Sequence, residues 1–355
     1  MKLSEKTKQQ MAKLVIKDFV IKILNERLPK HYKDFKKIKS LSLTPFKKHL
    51  GITSAVFVVE YKIKYISKDG SIKDIDIFVS AHSDGSRKEA YQKTRTLYKH
   101  GFDTGKYRVT KPLFFLAGQK AFFYVSSPGA SFFSFFTQDI SADLKKSMRL
   151  ITGWIKKLHS LDLGQLDFKW PVFDILAMVP APKKFIKDFY NNSNKLGKNI
   201  EQLVTDLHTL DNKYRKKISR TLIYGDFHPE NIIIKNLEAR EIEMIDFTDI
   251  ATGDPMMDIG TFIQQLDFMG HNFVSRKEIN QHKKDFVEIY FKQDLEDINI
   301  EYINRINIYQ SWTAMRSAVF LFYMKDVVNP IDDLLQDAIE YLNLAKNSKR
   351  SINVN

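Results

Sequence analysis

Residues 221–266 read TLIYGDFHPENIIIKNLEAREIEMIDFTDIATGDPMMDIGTFIQQL, and the fold turns on this stretch. Two apolar runs, Leu222–Tyr224 and Ile232–Ile234, flank a polar turn that holds Gly225, Asp226, His228, Pro229, Glu230 and Asn231. A third run, Ile242–Ile245, ends at Asp246. Short apolar runs bounded by turn residues predict buried strands. Asp226, Asn231 and Asp246 then fall at strand ends or in the turns between them, where polar groups can converge on a ligand. An acid, an amide five residues on, and a second acid after the next strand suit phosphoryl transfer. One carboxylate orients an attacking hydroxyl and accepts its proton, while an amide oxygen and the second carboxylate hold magnesium on nucleotide phosphates. Asp, Pro and Asn are also turn formers, so a plain β-hairpin would use the same residues.

The ordered set GDFHPENIII, MIDF and GDPMMDIG separates the two readings. It resembles the catalytic signature of the aminoglycoside phosphotransferase and choline kinase family. That resemblance implies a two-lobed, protein-kinase-like α+β fold. Its N-terminal lobe (1–126) would be a small antiparallel sheet that binds the nucleotide. Its C-terminal lobe (127–355) would be mainly helical and would bind the acceptor. By motif position Asp226 would be the catalytic base and Asn231 and Asp246 the metal ligands, while Asp258 would brace the catalytic loop. The implied cofactors are ATP or GTP with Mg2+, and the implied partner is a small molecule bearing a hydroxyl group. Relatives with this signature act on aminoglycosides, amino alcohols and sugars. A nucleotide-binding pseudokinase is the alternative.

Outward from the motif, the 355 residues suffice for two cores. The chain has no cysteine, which excludes disulfides and thiolate metal sites. No stretch reaches the ~20 apolar residues of a membrane span, and residues 1–19 carry no signal-peptide core. We therefore expect a cytoplasmic, soluble protein. The net charge of +14 raises nucleic-acid binding. The lysines are scattered rather than clustered, however, so we expect a solvated basic surface and neither a nucleic-acid nor a membrane partner.

In the first lobe, residues 7–28 predict one amphipathic helix with Met11, Val15, Ile16, Phe19, Val20, Ile23 and Leu24 on a face. Residues 54–66 and 75–82 predict strands around the turn at Lys68-Asp69-Gly70. Gly51-Ile52-Thr53-Ser54 resembles the family's nucleotide-positioning loop, though a strand-entry turn would look the same. Strands at 113–116 and 121–125 lead into YVSSPGASF (124–132). This resembles the hinge and places the nucleotide base near Tyr124, Val125, Ser126 and Ser127. A helix over 86–101 carries Glu89, the counterpart of the glutamate that steadies a strand lysine, or else a plain first-turn glutamate. The lysine itself is missing. Its slot holds Ser80, and Lys62, Lys64 or Lys73 would have to replace it.

In the second lobe, Ser141–Leu161 predicts a strongly amphipathic helix in which His159 is structural. Residues 183–220 read as helical with a break at 191–197. They carry Asp188, Glu201, Asp206 and Asp211, which either meet a cationic acceptor or lie on solvated faces. The remainder reads as helix, with an apolar run over 312–327 in which Arg316, if buried, needs a carboxylate partner, for which an acid of the family motif is a candidate. The polar tail is expected to fray.

Overall fold

The structure is a computed structural model that describes residues 2–138, 141–324 and 330–354. The chain divides into two compact units. The first comprises residues up to Gly129 together with Leu166–Phe168 and Glu243–Thr248, and the second comprises the rest.

The first unit opens with α1 (Glu5–Ala12) and α2 (Lys17–Arg27). The single helix expected here is broken at Ile16, which takes an extended conformation (φ −99°, ψ 111°) and lies 52% exposed. The break turns Met11 and Leu14 from one piece, and Val20 and Leu24 from the other, onto one core. Three long strands follow, β1 (Phe35–Leu50), β2 (Ala55–Ser67) and β3 (Ile72–His82). After them come α3 (Arg87–Leu97), β4 (Tyr107–Val109), β5 (Pro112–Leu116) and β6 (Ala121–Val125). β1, β2, β3, β6 and β5 form, in that order, a five-stranded antiparallel sheet.

Side chains alternate across a pleated strand. Phe57, Val59, Tyr61 and Ile63 of β2, with Ile77 and Val79 of β3, therefore share the face packed against α1 and α2. The Tyr61 hydroxyl satisfies itself on the Leu14 carbonyl at 2.6 Å. Burying each such side chain contributes about 1.5–3 kcal/mol. Val58, Ser80 and Phe122 lie side by side on the opposite face, and Tyr91 of α3 meets the Phe122 ring edge-on.

The second unit contains β7 (Ala130–Ser131), α4 (Ser134–Thr137), α5 (Ser141–His159), α6 (Pro182–Asn192) and α7 (Asn194–Arg215). β8 (Thr221–Ile223) and β9 (Ile232–Asn236) lie in it too. β10 (Glu241–Met244) leads into the segment assigned to the first unit. β11 (Ala251–Gly253) and the helices α8 (Met256–Gly270), α9 (Arg276–Phe291), α10 (Ile300–Tyr323) and α11 (Ile331–Lys346) complete the unit. The apolar run expected over 312–327 is the end of α10; residues 325–327 lie outside the described residues. β8 does not pair with β9 as a simple hairpin would. It pairs antiparallel with β11, and β9 pairs with β7. The polar turn between β8 and β9 is therefore a loop held by other elements.

Candidate active site

The loop begins at Gly225, whose φ of +86° lies in the left-handed region. A Cβ there would stand 2.3 Å from the Asp249 carbonyl oxygen, so only glycine fits. Asp258, in the first turn of α8, is fully buried. It accepts the backbone N–H groups of Tyr224 at 2.7 Å and Gly225 at 2.9 Å. His159, at the end of α5, contacts the same carboxylate through Nε2 at 2.9 Å, and its Nδ1 meets the Tyr290 hydroxyl at 2.9 Å. The histidine is thus built into a buried chain that fixes the loop entrance. The neighbouring Asp254 of the GDPMMDIG motif grips Arg305 with both oxygens, one at 2.7 Å.

Asp226 follows directly. Its Oδ1 lies 3.1 Å from the Arg316 guanidinium and its Oδ2 lies 3.4 Å from His228 Nε2. Burial tends to raise the Asp226 pKa, but the His228 hydrogen bond and the Arg316 charge outweigh it and hold the carboxyl below its ordinary value. Arg316 itself is 36% exposed rather than buried, stacks 5.5 Å from the Trp312 ring, and reaches Asp249 at 3.8 Å. The carboxylate partner expected for it is therefore the candidate base. Asn231 donates from Nδ2 to the Asp226 carbonyl at 3.1 Å, and the same nitrogen lies 2.9 Å from His228 Nε2. This fixes the amide plane.

Asp246 belongs to the first unit. It holds a φ of +55°, unusual outside glycine. Such backbone conformations persist where the surroundings over-determine them. The surroundings here are the Thr248 N–H, at 3.2 Å from Oδ1, the Thr248 hydroxyl, and the Arg87 guanidinium at 3.1 Å. Arg87, the first residue of α3, also donates to the Thr248 hydroxyl. Lys93 of α3 bonds the Thr248 carbonyl and Glu89, both at 2.9 Å.

Gly51–Ser54 is the tip of the β1–β2 hairpin, closed by the Gly51 N–H on the Ser54 carbonyl at 2.8 Å. At the end of β6, Val125 N–H is committed to the Lys111 carbonyl and Ser126 N–H to the Asp76 carbonyl. Ser127 Oγ is buried without a hydrogen-bond partner. Tyr124 stacks on Phe78 at 6.1 Å; burial, and then the negative charge of Asp246, push its phenol well up.

Ser80 is 8% exposed. None of the lysines expected to replace the missing one is placed to do so. Lys62 and Lys64 share the face of Ser80 but lie level with Asp76 and Asp74, Lys62 about 13 Å along the strand at ~3.3 Å per residue. They pair with Glu60 at 3.9 Å and Asp74 at 2.8 Å. Lys73, an odd number of positions from Ser80, projects from the opposite face and pairs with Asp34 at 2.7 Å. Arg87 is the cation paired with Asp246 and Lys93 the one on the Thr248 carbonyl, and sequence reasoning missed both. The signal was present in the cluster Arg87-Lys88-Glu89 that opens α3.

The acids of α6 and α7 are engaged within their own unit. Asp188 meets Lys184 and Tyr323, and Glu201 meets Tyr190. Asp206 meets Lys346, and Asp211 meets Arg215 and Tyr309. Among the described residues no group of three or more His, Cys, Asp or Glu side chains is arranged to hold a metal. Magnesium bound with a nucleotide needs no such cage, since it takes one or two protein oxygens plus phosphates and water.

Residues 155–276 match the model of the phosphotransferase enzyme family. Comparison with curated protein sequences gives no match. Among solved structures, an ethanolamine kinase from Plasmodium vivax is 14% identical, with 87% of this chain and 84% of that one covered and a TM-score of 0.56. An amicoumacin kinase in complex with AMP-PNP, Ca2+ and Ami is 13% identical, with 99% and 98% covered and a TM-score of 0.57. An aminoglycoside 2'-phosphotransferase in complex with GDP is 13% identical, with 92% and 97% covered and a TM-score of 0.53. The likeness read from the motifs is borne out, and the fold is kinase-like α+β. Family match and fold together indicate a phosphotransferase. No helix among the described residues is long and apolar enough to cross a membrane.

Proposed function

We propose that the protein transfers the γ-phosphoryl group of ATP or GTP, with Mg2+, to a hydroxyl group of a small molecule in the cytoplasm. The observation that carries this reading is the loop from Gly225 to Asn231. Its entrance is fixed by Asp258, and the Asn231 amide plane is locked on the carbonyl of Asp226, the residue that presents the candidate base. Asp226 orients the acceptor hydroxyl and takes its proton. A low pKa keeps it ionised, and so able to accept, at neutral pH. Asn231 Oδ1 and the Asp246 carboxylate are oxygen donors of the hard type magnesium selects. Bound there, the ion would neutralise charge on the phosphates. Ser127 at the end of β6 and the Ser54 hairpin tip supply polar groups for the nucleotide, as the hinge and loop of kinase-like proteins do. Nucleotides in two of the similar structures support this reading, as do the ethanolamine, amicoumacin and aminoglycoside named for the three.

The internal pairing of Asp188, Glu201, Asp206 and Asp211 speaks against recognition of a polycation by those four acids. Ser80 in the lysine slot favours a second reading, a pseudokinase that binds nucleotide without turnover. A panel of amino alcohols, sugars and aminoglycosides, incubated with Mg·ATP or Mg·GTP while nucleoside diphosphate release is followed, decides between them. Acceptor-dependent release that Asp246→Ala abolishes is expected. Nucleotide binding without release on any acceptor would favour the pseudokinase.

A further inference from the structure

On the phosphotransferase reading, we infer that Arg87 supplies from α3 the phosphate-pairing cation that β3 lacks. Lys93 positions the loop on which Arg87 acts. The strand that holds Ser80 and the strand beside it offer no cation level with it, and Lys47 of β1, which is level, stands two strands away. Ser80 is buried and neutral, Lys62, Lys64 and Lys73 pair at a distance from it, and Lys120 donates to the Ser83 carbonyl. The helix offers two. Arg87 has a side chain only 17% exposed and lies 3.1 Å from Asp246 Oδ1. Its Nε is buried and has no hydrogen-bond partner. A buried donor left unpaired costs about 1–3 kcal/mol, which an incoming acceptor would relieve.

A carboxylate that held magnesium in this class of site would sit beside the nucleotide phosphates that share the ion. A guanidinium on Asp246 therefore stands at the phosphate end of the nucleotide. Its planar fork presents five N–H donors, enough to serve the carboxylate and a phosphate oxygen together.

Lys93 completes the exchange. It is 3% exposed, takes up Glu89 within the helix at 2.9 Å, and anchors the Thr248 carbonyl. The glutamate that would steady a strand lysine is thereby occupied. The ion pair that usually bridges strand and helix is redrawn inside α3, and Arg87 is left for the nucleotide. Arg87 and Asp246 are 159 residues apart in sequence, which hid the pairing from a linear reading.

Isothermal titration of the full chain with Mg·ATP, Mg·ADP and adenosine tests this. Arg87→Ala should weaken Mg·ATP binding about tenfold or more while leaving adenosine affinity unchanged, since a charged hydrogen bond is lost and the base contacts are not. Arg87→Lys should retain part of the affinity. The double variant Arg87→Ala with Ser80→Lys should recover some of it by returning the charge to β3, which no purely structural role of Arg87 predicts. If Arg87→Ala binds Mg·ATP as tightly as the parent, or more tightly, Arg87 serves only to hold Asp246 and the inference fails. Equal loss for adenosine and ATP would also overturn it, because the damage would not be specific to phosphate. If the parent chain binds neither Mg·ATP nor Mg·GTP, it is the phosphotransferase reading itself that falls.

Discussion

Asp226 is the residue on which the proposed chemistry rests, and its two partners set its behaviour with pH. His228 and Arg316 lower its pKa against the opposing effect of burial. A carboxylate base works only when ionised, so activity is lost as pH falls through its pKa. With that pKa held low, the acid limb of the kcat/KM profile should lie below the ordinary aspartate value. Arg316→Met removes one of the lowering groups and should move that limb upward, with little change in Mg·ATP affinity. An unmoved limb would mean that Asp226 is not the group titrating. Asp226→Asn should reduce kcat by about 10²–10⁴, the usual worth of a general base, while circular dichroism and nucleotide binding stay as in the parent. The sequence alone pointed to Asp226, Asn231 and Asp246 because their signal is local: turn residues at fixed spacing between short apolar runs. It offered an acid of the motif as partner for Arg316 but did not single out Asp226. That contact joins a loop to α10 across 90 residues, and no spacing rule covers it.

At the level of elements, the loop depends on α8 more than on its own strands. Asp258 satisfies the N–H groups of Tyr224 and Gly225 and engages His159, all in the interior. Asp258→Ala would leave two buried donors unpaired at ~1–3 kcal/mol each. A loss of about 3 kcal/mol or more in urea unfolding is expected, along with a fall in kcat larger than the change in KM for nucleotide. A variant as stable as the parent would show that water replaces the carboxylate. Periodicity revealed where most helices lie, but not the interruption at Ile16. An isoleucine continues an apolar pattern, and only the demand that both Leu14 and Val20 reach the sheet shows why the helix must break. The hydrophobic runs identified β8 and β9 as strands, but pattern alone does not choose partners. Pairing of β8 with β11 is fixed by the return of the chain through GDPMMDIG.

Across the molecule, the clearest departure from the sequence is at the C-terminal tail. Residues 351–354 read as polar and free, yet Ile352 is fully buried and Val354 nearly so. The tail lies along polar side chains of the second unit. Asn307 Nδ2 donates to the Ser351 carbonyl at 2.7 Å, Gln310 Nε2 to the Ile352 carbonyl at 3.1 Å, and Arg276 to the Val354 carbonyl at 2.9 Å. Asn307 and Gln310 are themselves fully buried within α10, the helix that also carries Arg316. A buried amide without its acceptor is expensive, and that is why a short polar segment is held so firmly. Deleting the chain from Ser351 onward would empty the Ile352 site, at ~2–5 kcal/mol by the measure of large-to-small core substitutions. It would also remove the acceptor of Asn307 Nδ2, at ~1–3 kcal/mol. We expect a stability loss of about 3 kcal/mol or more by denaturant midpoint. Ile352→Ala alone should account for the larger share. Because α10 would loosen where it presents Arg316, the truncated chain should also show the acid limb of its pH profile displaced in the same direction as in Arg316→Met. Deletion with neither effect would mean that the tail merely rests on α10, and that Asn307 and Gln310 find water in its place.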